Sequence, residues 1–198
     1  ITFEGGEGSG KTTLIELIKK SLENDKKILI TREPGGTKIA EAIRNVLLDV
    51  KHEGMNCHTE ALLYAASRAE HIDMVIKDGL KTHDIILCDR YLDSSLAYQG
   101  HARSLGIDYI LKINDYALNY MPNLTFYIDI DPEVGLERIK NRDKFDRLDK
   151  ESLEFHKKVR EGYLKLLELY PNRVVKINGH QNINDIFNDV IKVIKERI

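Results

Sequence analysis

The chain of 198 residues has little of what would fix its class at a glance. It carries two cysteines, Cys57 and Cys88, in neither a metal-binding nor a redox spacing. That argues against a disulfide scaffold or a zinc knuckle and for a reducing, cytoplasmic compartment. It has no excess of one charge: 30 basic residues stand against 32 acidic ones, so no global field recruits nucleic acid or a membrane. No apolar run approaches the roughly 18 residues of a membrane span, and there is no signal-peptide core or polybasic block. Repeats, low-complexity tracts and Pro/Gly/Ser linkers are missing too, so nothing marks a domain boundary. The expectation is a soluble chain with one domain over residues 1–198 and one main site. Ile1 is not a usual translation start, so a few residues are expected ahead of it.

What is present is an alternation of short apolar, β-branched runs with longer stretches of helical period. This is the pattern of a parallel sheet covered on both faces by helices. The strand candidates are Ile1–Glu4, Lys27–Thr31, Asp84–Cys88, Leu124–Ile128 and Arg173–Ile177. A helix is predicted from about Lys150 to Tyr170, with Phe155, Val159, Tyr163, Leu166 and Tyr170 on one stripe, and another closes the chain on Ile183, Phe187, Val190 and Ile194. Asp131-Pro132 predicts a helix start with a side-chain cap and proline in the first position. The stretch from Arg138 to Lys150 breaks the pattern: of its thirteen residues nine are charged and three apolar. It reads as a solvated face or a mobile cover.

Gly5 to Thr12 fits G-x-x-x-x-G-K-[ST], between an apolar strand and a helix carrying Leu14, Leu17, Ile18 and Leu22. Gly5, Gly6, Glu7, Gly8, Ser9 and Gly10 would wrap their backbone around a phosphate chain, with Thr13 following. Lys11 would meet terminal phosphate oxygens, and Thr12 would offer its hydroxyl to Mg²⁺. Such a P-loop establishes only that a nucleoside triphosphate binds. A GTPase would also carry N-K-x-D late in the chain, and none is present; a motor needs a larger body.

The acceptor has to be read elsewhere. The third strand runs into "CDRYLDSSLAYQG", where Asp89, at the carboxyl end of a strand beside the phosphate loop, is placed to hold Mg²⁺. Arg90 then reads as a clamp on a second anion, against the alternative of a surface ion pair. In "TREPGGT", Pro34 holds Glu33 extended at a strand end that faces the ligand edge of the sheet. Arg44 and Arg68 lie on otherwise apolar or Ala-rich helices, with Tyr64 one turn before Arg68. Singly each arginine would be a surface residue with a packed stem. Together with Arg90 they suggest a pocket for a monophosphate and its base.

At this point the sequence resembles bacterial thymidylate kinases. The resemblance rests on "FEGGEGSGKTT", "TREPGGT", "EAIRNVLL", "EALLYAASRAEHI", "CDRYLDSSLAYQG" and "RDKFDRLD", in the family's order across nearly the whole chain. It implies a P-loop NTPase fold with a five-stranded parallel sheet and an Arg-rich lid at about 138–150. It implies transfer of the γ-phosphoryl group of ATP to dTMP, with Mg²⁺. Arg44 and Arg90 resemble the residues on the acceptor phosphate, and Glu33 the carboxylate near the transferred group and its magnesium or water. Arg68 is similar to the residue that reaches the thymine edge, Tyr64 stands where an aromatic, commonly phenylalanine, stacks on the base, and Ser95, Tyr98 and Gln99 match residues lining thymine and deoxyribose. The family also implies a homodimer, in keeping with the apolar surface of the long helix from Thr59 to about Lys81 through Leu62, Leu63, Ile72, Val75 and Ile76.

Some thymidylate kinases keep a catalytic arginine inside the phosphate loop; here Gly6, Glu7, Gly8 and Ser9 supply none. The deficit is expected to be met from the lid, by Arg142 first and Arg147 second, with Arg138 belonging either to the lid or to the preceding helix. Glu7 is expected to anchor the closed lid by pairing with one of these arginines. The competing readings are another P-loop nucleotide or deoxynucleoside kinase and an ATP-binding regulator without turnover. The latter fits poorly with Lys11, Thr12 and Asp89 all present.

Overall fold

The computed structural model describes residues 1–140 and 145–197. Five strands, β1 (Thr2–Glu4), β2 (Ile28–Arg32), β3 (Ile85–Asp89), β4 (Thr125–Asp129) and β5 (Val174–Asn178), form one sheet in the order β2-β3-β1-β4-β5, with every pair parallel. All five were legible as apolar runs, but β2 to β5 each extend one residue further toward the carboxyl end than their apolar pattern. Ladder pairing carries into the polar residue there, as in Phe3 opposite Asp89 and Arg32 opposite Asp89. That extra residue puts Asp89 on the sheet's rim.

Ten α-helical segments surround the sheet among the described residues: α1 (Lys11–Leu22), α2 (Lys38–Leu48), α3 (Cys57–His71), α4 (Lys77–Thr82), α5 (Leu92–Ser95), α6 (Ile107–Ile113), α7 (Asp115–Leu118), α8 (Pro132–Ile139), α9 (Leu153–Leu169) and α10 (Ile183–Arg197). Successive strand residues face opposite sides, so β4 feeds two cores at once. Phe126 and Ile128 pack with Leu14, Ile18 and Val190 of α1 and α10. Tyr127, between them, joins Tyr163, Leu166 and Leu96 on the other side. Leu14 is fully buried, and truncating it to alanine would cost about 2–5 kcal/mol.

Two π-helical stretches interrupt the helices. Ile72–Ile76 joins α3 to α4, and Leu96–Ala102 continues α5. Such turns widen a helix and recur at functional sites; the second carries Tyr98 and Gln99. The predicted helix over 59–81 is therefore one rod with a π insert, and Ile72 and Ile76 on it are core residues, whereas Leu62 and Met74 are exposed. α9 starts at Leu153, later than the predicted start at about Lys150, because the Ser152 hydroxyl accepts from the Phe155 N–H at 3.2 Å and caps it. The predicted side-chain cap at Asp131 is absent: Pro132 opens α8, but the Asp131 carboxylate pairs with Arg160 and, at 3.4 Å, with His180. The Arg160 guanidinium and the His180 ring take it in place of the helix N–H groups.

Candidate active site

The carboxyl rim of the sheet opens into a cleft of about 260 Å³, lined at one end by Glu7 to Thr13 and at the other by Arg44, Tyr64, Arg68 and Gln99, with Asp89 and Arg90 between. α1 begins at Lys11 after Gly10 and has no side-chain cap, so the N–H groups of its first turn remain available to an anion. The loop's shape is fixed from behind. Gly8 sits at φ +67°, and a Cβ there would overlap the Gly135 carbonyl of α8, so glycine is required on both counts.

The Lys11 ammonium lies on the Gly5 and Gly6 carbonyls, both at 3.1 Å, and on Ser9 Oγ at 3.0 Å. Burial and the Arg90 charge bring it down to about 8, against the pull of Asp89 and Glu7. Arg44, half-buried and donating to the Pro34 carbonyl at 2.8 Å, is likewise lowered, by burial and then by the charge of Arg32. Two cations weakened by burial and by neighbouring cations, at opposite ends of one cleft, mark a surplus of positive potential that an anion would relieve.

Between them Arg90 is held in a left-handed backbone conformation, φ +69°. Such a conformation costs about 1–3 kcal/mol outside glycine and persists only where the surroundings impose it. They do so here: the Arg90 N–H donates to the Phe3 carbonyl at 3.0 Å, and the Cys88 thiol to the Arg90 carbonyl at 3.1 Å. The guanidinium then meets Glu7 Oε1 at 2.8 Å and the Gly5 carbonyl at 2.9 Å. Tyr98 donates its hydroxyl to the same Glu7 oxygen at 2.9 Å. Burial alone would push the Glu7 carboxyl up; Arg90, Lys11 and the Tyr98 hydroxyl more than offset it and hold it at about 2. Glu7 therefore orients Arg90 and Tyr98. Among the described residues its partners are Arg90, fixed on the neighbouring strand end, and Tyr98, both on Oε1, rather than a lid arginine.

Beneath Arg90 lies Glu4, fully buried, accepting from Tyr91 N at 2.7 Å, Ser94 Oγ at 2.5 Å and Tyr163 Oη at 2.9 Å. Burial and the Asp93 charge push it up to about 7, against the pull of Arg90. Ser94 and Tyr163 in turn accept from the Arg90 guanidinium at 3.2 and 3.3 Å. Glu4 is thus a support of Arg90 that the sequence reading missed. Its signal was an acid closing a strand immediately before the phosphate loop.

At the far end Glu33, although it borders the cleft, has both carboxylate oxygens occupied: Oε2 by Arg68 Nε at 2.7 Å and Oε1 by His71 Nδ1 at 2.9 Å. From the edge of the cleft Glu33 therefore also braces Arg68. Pro34, joined to it by a cis peptide bond, and the following glycines lead the chain away into α2. Arg68 itself is 2 % exposed and also donates to Asn114 Oδ1 at 2.6 Å, the Tyr91 carbonyl at 3.2 Å and Ser95 Oγ at 3.1 Å. Of the five N–H groups of a guanidinium, one stays uncommitted among the described residues. Gln99 donates to Glu60 Oε1 at 2.9 Å, which turns its amide oxygen away from that contact. Tyr64 lines the same end, its hydroxyl pushed well up by burial and then by the Glu60 charge, so it remains protonated.

Glu60 was also missed, and it explains Arg147. This fully buried carboxylate is met by Arg147 at 2.7 Å and Arg103 at 3.2 Å, and the Arg147 Nε–H donates to the Leu47 carbonyl at 2.8 Å. Arg147 is 5 % exposed and does not border the cleft. Away from the cleft it supplies the counter-charge that a buried acid needs, rather than facing the site of the transferred group. Arg138 touches the phosphate loop only at the Gly8 carbonyl, 3.3 Å away, and also reaches the Gly179 carbonyl at 3.4 Å. Arg142, the other lid candidate, lies outside the described residues.

For a divalent cation, the Thr12 hydroxyl donates to Asp89 Oδ2 at 3.1 Å, while Asp89 Oδ1 is buried with no hydrogen-bond partner. No group of three or more His, Cys, Asp or Glu side chains among the described residues could hold a metal ion. One carboxylate, one hydroxyl and an adjoining phosphate cradle fit a Mg²⁺ that arrives with its phosphates and keeps several waters.

The sequence model of one family, thymidylate kinase, matches residues 3–190. The thymidylate kinase of Acholeplasma laidlawii is 55% identical over 201 residues, covering 100% of this chain and 99% of that one. That of Clostridium novyi is 53% identical, covering 96% and 95%. The crystal structure of thymidylate kinase from Ehrlichia chaffeensis superposes with a TM-score of 0.80 at 34% identity, covering 98% of this chain and 96% of that one. With a rim cleft that couples a phosphate cradle to a second cationic end, and with these relatives along its whole length, the chain belongs to the thymidylate kinase family.

Proposed function

We propose that the cleft holds ATP and dTMP end to end, the triphosphate on the loop Gly5–Thr13 and the acceptor nucleotide toward Arg44, Tyr64, Arg68 and Gln99, within a single P-loop kinase domain over 1–198. The observation that carries this reading is Arg90, held between Glu7 of the phosphate loop and the far end of the same cavity. In the reaction an oxygen of the acceptor monophosphate bonds to the γ-phosphorus as the bond to the β-bridging oxygen breaks, giving dTDP and ADP. The chain's work is placement and charge. Lys11 and the α1 N-terminus hold the donor's phosphates; Arg44 and Arg90 draw the acceptor phosphate in despite its own charge. Tyr64 gives the base a stacking face, Arg68 and Gln99 offer it polar edges, and Ser95 and Tyr98 border the sugar side. Thr12 and Asp89 would hold Mg²⁺, which supplies charge neutralisation between the phosphates.

Arg142 remains the lid's candidate for the transferred group. Four exposed apolar side chains, Leu62 and Met74 on the α3 rod and Ile39 and Val46 on α2, support a homodimer. The absence of any described helix long and apolar enough to cross a membrane is compatible with the cytoplasm.

The test is acceptor-dependent ADP release with dTMP, UMP and thymidine, in the wild type and in Arg142→Ala. Turnover with dTMP, little with the other two, and a fall in kcat far exceeding the rise in KM for ATP in the variant are expected. Equal turnover with thymidine would overturn the acceptor assignment, and unchanged kcat in the variant would remove Arg142 from the lid's chemistry.

A further inference from the structure

His71 is the last residue of α3, fully buried, and touches no part of the cleft. It nevertheless ends a chain of polar contacts that begins there. Arg68 and His71, three apart on α3, share a helix face, and Thr31 and Glu33, two apart at the end of β2, share a strand face. The two faces meet as a two-by-two array. Arg68 Nε binds one Glu33 oxygen at 2.7 Å, His71 Nδ1 the other at 2.9 Å, and His71 Nε2 meets Thr31 Oγ1 at 2.6 Å. A carboxylate already shared with Arg68 has only acceptor sites, so Nδ1 carries a hydrogen toward Glu33, while Nε2 shares a hydrogen bond with the Thr31 hydroxyl. Gly36, at φ +88°, closes over the ring: a Cβ there would lie 2.9 Å from His71 Cδ2 and 3.1 Å from Thr31 Oγ1. The loop after Pro34 thus seals the imidazole against β2.

We infer that His71 is a positioning residue for the acceptor base, acting through Glu33 on Arg68 and itself held by Thr31. A glutamate bound only to an arginine can rotate with it. Pinned at its other oxygen by a ring that is locked in a tight sleeve, Glu33 becomes a fixed bracket, and the guanidinium plane is set by it together with Asn114, Tyr91 and Ser95. The uncommitted N–H of Arg68 then has one direction, which is what recognition of a single carbonyl on a base edge requires. The inference rests on the reading of Arg68 as the base-contacting residue, and its test separates the two.

The experiment is a double-mutant cycle of His71→Phe and Arg68→Ala, with KM and kcat measured for dTMP and ATP separately. His71→Phe keeps the ring's bulk and removes both polar atoms. It is expected to raise KM for dTMP about tenfold, with KM for ATP within about twofold of the wild type, and to add almost nothing in the Arg68→Ala background. Asn at 71, which keeps a donor near the place of Nδ1, should restore most of the loss, and Thr31→Val should reproduce a small part of it. Should His71→Phe fail to fold, His71→Leu, which also lacks both polar atoms, carries the same cycle. A parallel rise in both KM values, an unchanged KM for dTMP, or an effect that persists undiminished without Arg68 overturns the role of His71. If Arg68→Ala itself leaves KM for dTMP unchanged, the base assignment of Arg68 fails, and this inference with it.

Discussion

Two arginine–glutamate pairs divide the molecule's charge between chemistry and scaffold. Arg90 meets Glu7 at 2.8 Å with 17% of each side chain exposed at the cleft, while Arg147 meets Glu60 at 2.7 Å with 4% and 0% exposed. In N–O distance they are alike. They differ in what surrounds them: Arg90 borders a cavity with three other cations, Lys11, Arg44 and Arg68, whereas Arg147 is spent on a buried acid that Arg103 also neutralises. An arginine is available to a substrate when its ion pair leaves part of the guanidinium facing open volume, and a short N–O distance says nothing about that.

The comparison can be broken most severely at Arg90. Arg90→Ala is expected to lower kcat by about 10³-fold or more, in the range seen where an arginine acts on a transferred or accepting phosphate, with Arg147→Ala within about threefold of the wild type. Steady-state kinetics at saturating ATP and dTMP check both. The order reverses for stability. Arg147→Ala strips one of two counter-charges from Glu60 and should cost about 1–3 kcal/mol, less than a fully broken buried pair because Arg103 remains. Thermal unfolding should register this as a fall of several degrees. If the two variants lose activity equally, the division proposed here is wrong.

Smaller effects sharpen it through pH. Glu7, held at about 2 against an ordinary 4.5, contributes stability that is fully present above pH 4.5 and is lost as pH falls through 2. That contribution is at most about 3 kcal/mol. Glu7→Gln should flatten this acid limb in denaturant titrations, and Arg90→Ala should shift it to higher pH. Glu4 runs the other way: raised to about 7, its contribution is fully present below pH 4.5 and is lost as pH rises to 7. The smallest signal concerns Lys11, lowered to about 8 in the free site. The kcat/KM for ATP should decline above pH 8, whereas kcat holds to higher pH, because bound phosphate restores the ammonium's proton affinity.

Much of the fold was legible because its signals are local. Each strand is a short apolar run, the phosphate loop is one contiguous pattern, and the acceptor-side residues sit in a few compact motifs. The partnerships were not legible, because a charge in a sequence does not announce its counter-charge. Glu7 finds Arg90 across 83 positions, and Glu33 finds His71 across 38. Arg147 looked free for catalysis because its stretch is rich in charge, and only the burial of Glu60, one polar residue among several on α3, gives it a partner. The π-helical stretches left no trace either, since their apolar spacing passes for that of an ordinary helix.

The left-handed backbone at Arg90 sets abundance against fitness at a single codon. Glycine would relax that dihedral yet delete the guanidinium, so it should be the best-tolerated replacement for protein yield and still no better than alanine for growth that depends on the enzyme. A scan scored only by how much protein survives would rank position 90 as permissive toward glycine, and so overlook the large loss of turnover expected there.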